Sequence, residues 1–429
     1  MQINPISHPL NAAIRVPGSK SLTNRALLIA SLAQGTTHIT NALFSDDSIY
    51  FARALQTLGF DVQLDETNHT MTVTGLGGRI PATKAELFIG NAGTAARFLS
   101  AFLTLGKGEY ILDGEPRMRE RPIGDLVDSL TQLGANIRPL SIRERAGVRE
   151  ICPPIKIIAS GLPGGKTKIA GDISSQFLSA LLMVAPCAKT MIEIEVTTDL
   201  SSKPYVDMTL AIMRGFGVKI KRKGYSRFTI HPASYSPLST FQIEPDASAA
   251  SYFFAAPAVC GGTVRVEDIS SKSVQGDLAF LYVLNQMGCE IKEGRNFIEV
   301  TGPKTLSGVD MDMRDIPDTA QTLAVIAPFA ASPTRIRGIA SARVKETDRI
   351  SATCTELKRL GVQVEEHEDG MTIHPCSNIQ PASIQTYNDH RMAMAFSLVG
   401  LRIPGMTIEN PACVSKTFPN YFEVLETLR

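Results

Sequence analysis

One pattern recurs along the whole chain and limits what it can fold into. Five times an amphipathic stretch runs into a glycine and then into alternating, strand-like residues: ALQTLGFDVQL, LVDSLTQLGANIRPL, LAIMRGFGVKIKR, FLYVLNQMGCEIKE and ELKRLGVQVEE. The glycines are Gly59, Gly134, Gly217, Gly288 and Gly361, at intervals of 75, 83, 71 and 73 residues. Each suits a helix C-terminus, where a left-handed residue precedes the strand. A second series interleaves with the first and has six members. In it an alanine-rich apolar helix turns into a β-rich run, as in RALLIASLAQGTTHIT and FLSALLMVAPCAKTMIEIEV. Each unit therefore reads helix, strand, helix, strand, strand, with a short strand leading into the next.

The sixth copy stops at its second helix, PNYFEVLETLR, without its last strands, and two strand-like pieces sit unused at the start, near Gln2–Ile6 and Ala12–Val16. If both complete the sixth copy, the chain forms two similar α/β halves of three units each. The expected domains are residues 19–238, and 1–18 joined to 239–429, with crossings near Gly18 and Ser239. A doubly wound sheet with an appended domain is the alternative, but it does not account for the sixfold pattern.

The 429 residues carry 43 basic against 42 acidic side chains, a net charge of +1. This balance excludes a generally basic nucleic-acid coat or a polyanionic tail, so any charge-reading site is local. With 44% hydrophobic residues the chain is globular, and apolar runs of about a dozen residues are too short for the roughly 20 needed to span a bilayer. The N-terminus does not read as a secretory signal. The seven cysteines are scattered, without a C-x-x-C pair, which points to a reducing cytoplasm without structural zinc or disulfides.

The segments that open the six repeated helices are PGSKSLTNR, GNAGTAAR, GDISSQ, PDASAA, PDTAQ and YNDHRMAM. Capping explains their Gly, Ser, Thr, Asn and Asp. It does not explain Lys20, Arg25, Arg97, His390 and Arg391, because cations are unfavourable at the positive end of a helix. The loops before the second helices add Arg117, Arg119, Arg121, Lys203, Lys272, Arg343, Lys345, Arg349 and Lys416. A single charged loop is usually a solvated face, but recurrence at equivalent places points to a shared polyanion site. Familiar motifs are missing. PGSKS lacks the upstream glycine of a phosphate-binding loop, and GLGGR at Gly75–Arg79 reads as a turn. No H-E-x-x-H or G-x-S-x-G occurs.

Taken together, PGSKSLTNRALLIASLA, GNAGTAARF, GEPRMRERPIGDLVDSL, GDISSQFLSALLM, SSKPYVDMT, RVKETDRI, YNDHRMAMAFSL and SKTFPNYF resemble the 5-enolpyruvylshikimate-3-phosphate synthases, or 3-phosphoshikimate 1-carboxyvinyltransferases. The resemblance runs in order from about Val16 to Phe422. It implies two inside-out α/β domains, each of three βαβαββ repeats, with the active site in the cleft between them and the N-terminal domain largely binding 3-phosphoshikimate. The implied reaction moves the enolpyruvyl group of phosphoenolpyruvate to the 5-hydroxyl of shikimate 3-phosphate and releases phosphate, in aromatic amino-acid synthesis. No metal or cofactor, no nucleic acid and no membrane is implied. A cytoplasmic monomer is expected.

Carried over by position, the shikimate-phosphate side is similar to Lys20, Ser21, Arg25, Ser174, Ser175, Gln176, Ser202, Tyr205, Asp318, Ser341 and Lys345. The phosphoenolpyruvate side resembles Lys20, Asn91, Gly93, Thr94, Arg121, Gln176, Arg349, His390, Arg391 and Lys416. The resemblance implies that Asp318 takes the hydroxyl proton, while Glu346 and Lys345 move protons at the methylene carbon and Lys20 also serves catalysis. Two positions depart from the pattern of the glyphosate-sensitive bacterial enzymes. Ser341 stands where Asn is common, which alters a phosphate contact, and Phe98 where Pro is common, which alters the tilt of the helix behind Gly93. Gly93 itself favours sensitivity. The sister enzyme acting on UDP-N-acetylglucosamine is the nearest rival; it carries a loop cysteine, and residues 106–124 here contain none. A non-catalytic repeat scaffold that binds anions would have no need of Asp318 or Glu346.

Overall fold

The computed structural model describes residues 1–140, 143–145 and 148–429. The chain divides into two compact units, one formed by Met1–Pro17 with Glu244–Arg429 and the other by Gly18–Ile243. Each has its own hydrophobic core. The second crossing falls after Ile243 rather than near Ser239, because the strand Thr240–Gln242 pairs in parallel with Gln34–Thr40 and stays in the Gly18–Ile243 unit.

In the Gly18–Ile243 unit, three four-stranded sheets surround three helices, Lys20–Leu32, Gly93–Leu103 and Ser175–Val184, which pack on one another. Their sequences explain their place. Phe177–Val184 is apolar all round but for the buried Ser179, and every residue of Gly93–Leu103 is buried, as an interior helix requires. The strands alternate instead: Ile192–Val196 (IEIEV) buries every second side chain against the helices. The amphipathic helices of the other series cover the sheets. The expected glycine turns are present, with φ of 88°, 90°, 88°, 103° and 78° at Gly59, Gly134, Gly217, Gly288 and Gly361.

The other unit repeats this plan around Ala247–Cys260, Ala320–Ile326 and His390–Gly400, which also pack together. It corrects one expectation. Only the first N-terminal piece completes the sixth copy: Gln2 bridges Thr407, and Ile3 N–H donates to Met406 O at 2.9 Å, beside the two-stranded pair Ser383–Ile384 and Thr407–Ile408. The second piece, Leu10–Ile14, pairs in parallel with Gly262–Glu267 and serves the fourth copy. The leading strand of each unit's first repeat thus comes from a distant part of the chain; the Gly18–Ile243 unit is still one unbroken segment, whereas the other joins the two ends of the chain. A smaller correction concerns GLGGR: Gly75 is still in the strand Thr70–Leu76, and the turn is made by Gly77 and Gly78 at φ 63° and 83°.

Candidate active site

In the Gly18–Ile243 unit the sequence-predicted residues collect at the N-terminal ends of the three central helices. Ser19 caps the first, its hydroxyl accepting from Leu22 N–H, and Lys20 is the first helical residue. The Lys20 ammonium lies 3.4 Å from Asp47 Oδ2, and both side chains are largely buried. One turn on, Arg25 is 2% exposed, and burial pushes its guanidinium down to about 10. Its hydrogen bonds go to neutral oxygens: Thr209 Oγ1 at 2.8 Å, Ser21 O at 2.9 Å, Tyr205 O at 3.3 Å and Ser179 Oγ at 3.4 Å. Phe98, the residue standing where Pro was expected, lies under this guanidinium at 5.2 Å.

The second helix presents Gly93 and Thr94. Arg121 reaches back to it from the loop after the 3-10 turn Met118–Glu120, donating to Asn91 O at 3.0 Å and Asn91 Oδ1 at 3.1 Å. The third helix is capped by Ser174, whose hydroxyl accepts from Gln176 N–H at 3.3 Å. Gln176 Nε2 in turn lies 3.5 Å from Thr94 Oγ1, joining the starts of two helices. Ser202 opens the helix Lys203–Gly215 with a left-handed φ of 57°, and Tyr205 is in its first turn.

Several cations grouped with these residues in the sequence serve the fold instead. Arg97 bonds Pro122 O at 2.8 Å and Gly93 O at 3.3 Å. Arg119 forms a two-pronged pair with Asp113 at 2.6 and 2.9 Å, and Arg117 meets Glu120 at 3.0 Å.

In the other unit, Asp318, Glu346, Arg349, Asp389 and Arg391 form one connected network. Asp318 sits in the 3-10 turn Pro317–Thr319, between the N-cap positions Ile316 and Thr319. Its Oδ1 accepts from Arg349 Nη1 at 3.0 Å and its Oδ2 from Arg391 Nη2 at 2.7 Å. Arg349 is held further by Glu346 Oε2 at 2.6 Å and by Asp389 Oδ2 at 2.8 Å. Burial opposes its charge, but Asp389, Glu346 and Asp318 together raise its pKa above the ordinary arginine value. Lys416 Nζ stands 3.8 Å from Glu346 Oε1, and His390 Nδ1 3.5 Å from Asp389 Oδ1. Ser341 lies in the 3-10 helix Ala340–Val344, and Lys345 follows it directly.

The sequence reading missed three members. Asp389 caps the helix His390–Gly400 by accepting from Arg391 N–H at 2.9 Å while holding Arg349, and its cap position hid the second role. Tyr252, whose hydroxyl accepts from Arg391 Nη1 at 3.4 Å, is pushed up to about 12 by burial. It sits inside an apolar helix, and no local pattern marks it. Asp47, the partner of Lys20, is a first-turn acid of the helix Asp46–Thr57, and no motif in the sequence marks it. Among the described residues no group of three His, Cys, Asp or Glu side chains is placed to hold a metal ion, and no helix is long and apolar enough to cross a membrane.

Both units therefore present buried cations at helix starts, the arrangement that binds phosphates and carboxylates and carries acids and bases beside them. Known proteins share the whole pattern. A family model described as EPSP synthase (3-phosphoshikimate 1-carboxyvinyltransferase) matches residues 5–425. A 3-phosphoshikimate 1-carboxyvinyltransferase of Nostoc punctiforme is 50% identical over 422 residues, covering 98% of this chain and 97% of that one. One from a Sulfurovum species is also 50% identical, over 428 residues, with 99% and 98% covered. Among solved structures, an EPSP synthase from Acinetobacter baumannii superposes with a TM-score of 0.81 at 26% identity, covering 99% of this chain and 97% of that one. The enolpyruvyl transferase NikO from Streptomyces tendae shares the fold, with a TM-score of 0.77 at 18% identity over 100% of this chain and 96% of that one.

Proposed function

Because the chain belongs to the EPSP synthase family and is a 3-phosphoshikimate 1-carboxyvinyltransferase of the shikimate pathway, we propose which of its residues hold the two substrates. Lys20, Ser21, Arg25, Ser174, Ser175, Gln176, Ser202 and Tyr205 of one unit, with Asp318, Ser341 and Lys345 of the other, hold shikimate 3-phosphate. Lys20, Asn91, Gly93, Thr94, Arg121 and Gln176, with Arg349, His390, Arg391 and Lys416, hold phosphoenolpyruvate. The chain works as a cytoplasmic monomer, which sedimentation would test.

The observation that carries the catalytic part is the position of Asp318, whose two oxygens each accept from a guanidinium, Arg349 and Arg391. Both arginines belong to the proposed phosphoenolpyruvate set. The anionic groups of that substrate take over these donors and release the carboxylate, which can then accept the proton of the 5-hydroxyl. As the methylene carbon takes up a proton, the neighbouring carbon becomes electron-poor and the 5-hydroxyl oxygen bonds to it, giving a tetrahedral ketal. Loss of the methyl proton and departure of phosphate then restore the double bond, so the enolpyruvyl group ends on the new oxygen. Glu346 and Lys345 move the two protons at that carbon, and the cations around the phosphate stabilise it as it leaves.

The test is phosphate release with shikimate 3-phosphate as acceptor, beside the same assay with UDP-N-acetylglucosamine. Release with the first and none with the second is expected. In the first assay Asp318→Asn and Glu346→Gln should each be severely impaired while still binding shikimate 3-phosphate. Full turnover in both would remove them from the proton transfers.

A further inference from the structure

Arg343 was grouped by sequence with the anion-binding cations, yet its guanidinium is spent on the protein itself. Its Nε donates to Glu368 O at 2.9 Å and its Nη2 to His367 O at 2.6 Å. Its Nη1 faces two carboxylates, Asp348 Oδ2 and Glu366 Oε1, both at 2.9 Å. His367 and Glu368 belong to the tip of the hairpin Val364–His367 and Gly370–Ile373, whose turn is closed by the pairing of His367 with Gly370. The next residue of that turn, Asp369, grips the other end of the same segment: its Oδ2 accepts from Gly338 N–H at 2.9 Å and its carbonyl from Ile339 N–H at 2.8 Å.

The hairpin tip therefore holds residues 338–339 with Asp369 and residue 343 with the carbonyls of the two residues that precede it, His367 and Glu368. Ser341 lies between the two grips and Lys345 two residues beyond the second. Asp348, the far partner of Arg343, is itself fixed as the cap of the helix Arg349–Arg359, accepting from Ser351 N–H at 3.1 Å. The segment is tied at both ends and at the helix that follows it. Arg349 meets Glu346 beside Lys345, but it is also anchored from other elements by Asp389 and Asp318. Only the forked, five-donor guanidinium can reach two carbonyls and two carboxylates at once.

We propose that Arg343 and Asp369 are positioning residues for the transfer reaction: through the hairpin turn they set where Ser341 and Lys345 stand, and so govern the grip on shikimate 3-phosphate. The inference rests on the assignment of Lys345 to that substrate. Because Arg349 has its own anchors, loosening the clamp disturbs one substrate and spares the other. A merely structural role would lower Tm and the fraction of active enzyme, and with it the apparent kcat, while leaving both KM values unchanged.

The experiment measures kcat, both KM values and Tm for Arg343→Ala, Arg343→Lys, Asp369→Ala and Lys345→Met, with Glu368→Ala as the control that keeps its backbone carbonyl. Arg343→Ala and Asp369→Ala should raise KM for shikimate 3-phosphate and lower kcat, each by about tenfold, as displacement of a positioned group by an ångström or less does. KM for phosphoenolpyruvate should stay within about twofold, the size of a change that leaves its contacts intact. Arg343→Lys should fall between Ala and wild type, and it keeps the test open if the alanine variant does not fold. Glu368→Ala should match wild type. An unchanged KM for shikimate 3-phosphate in the Arg343 and Asp369 variants, whatever happens to kcat, or parallel changes in both KM values, overturns the proposal. If Lys345→Met leaves the constants for shikimate 3-phosphate unchanged, the assignment of Lys345 fails instead.

Discussion

Gly93 lies against the guanidinium of Arg121, so that a Cβ on Gly93 would stand 2.4 Å from Arg121 Nη2 and 2.8 Å from its Cζ. The sequence reading linked Gly93 to glyphosate sensitivity, which a methyl group there would lessen. The structure puts a side chain of the protein in its way first.

Gly93→Ala is therefore expected to act through Arg121. The far end of a long side chain can move, so the fold survives, but Arg121 must give up its bonds to Asn91. KM for phosphoenolpyruvate should rise about tenfold, and inhibition by glyphosate should weaken in step, as for loss of one charge-assisted contact. Combining Gly93→Ala with Arg121→Lys gives the decisive measurement. Effects that simply add would show that the methyl group acts elsewhere.

Asp318→Asn now has a sharper meaning than it had from sequence, where helix capping competed as an explanation. The adjacent N-cap positions are Ile316 and Thr319, and the carboxylate faces Arg349 and Arg391. Turnover should fall by about 10²-fold or more, the scale of losing a positioned general base. KM for phosphoenolpyruvate should not rise, because Asn competes less well than a carboxylate for the two guanidiniums. Steady-state kinetics in both substrates check this, and near-normal turnover would return Asp318 to a structural role.

Arg25 is a buried cation whose bonds among the described residues all go to neutral oxygens. Burial lowers its pKa to about 10, so the free protein carries a cost that a bound phosphate would relieve. Arg25→Met keeps most of the stem and removes the charge. Its Tm in the absence of ligand should equal the wild-type value or exceed it by about 2–4 °C. KM for shikimate 3-phosphate should rise by about tenfold or more through loss of a charge-assisted contact. A large drop in Tm with unchanged KM would mean that Arg25 serves the fold.

Asp113 concerns pH. Burial acts to raise its pKa, but the bonds from Arg119 and from Gly114 N–H, with the Arg119 charge, outweigh it and hold the carboxyl below its ordinary 3.8. A depressed folded value contributes stability that is present above the unfolded pKa and lost as pH falls through the folded one. The Tm difference between wild type and Asp113→Asn should thus be largest near neutral pH and close as pH drops below 3.8. A difference that persists in acid would trace to packing rather than to the ion pair.

Local chemistry was readable without a structure because it lies in consecutive residues. The left-handed glycines and the hydroxyl and carboxylate caps Ser19, Ser174, Asp246 and Asp389 are properties of a few neighbours, so the repeats and their capped helix ends could be read from the chain. Tertiary structure decided matters that depend on distant partners. Leu10–Ile14 joined the fourth repeat and Thr240–Gln242 the first, because strand pairing is settled by which sheet edge is open. It also sorted the cations. Arg25 was buried against neutral oxygens, whereas Arg119 and Arg343 met carboxylates, although all belong to similar polar motifs. A charged side chain reveals its type to a sequence reader, but what it does depends on the oxygens that folding brings within about 3 Å of it.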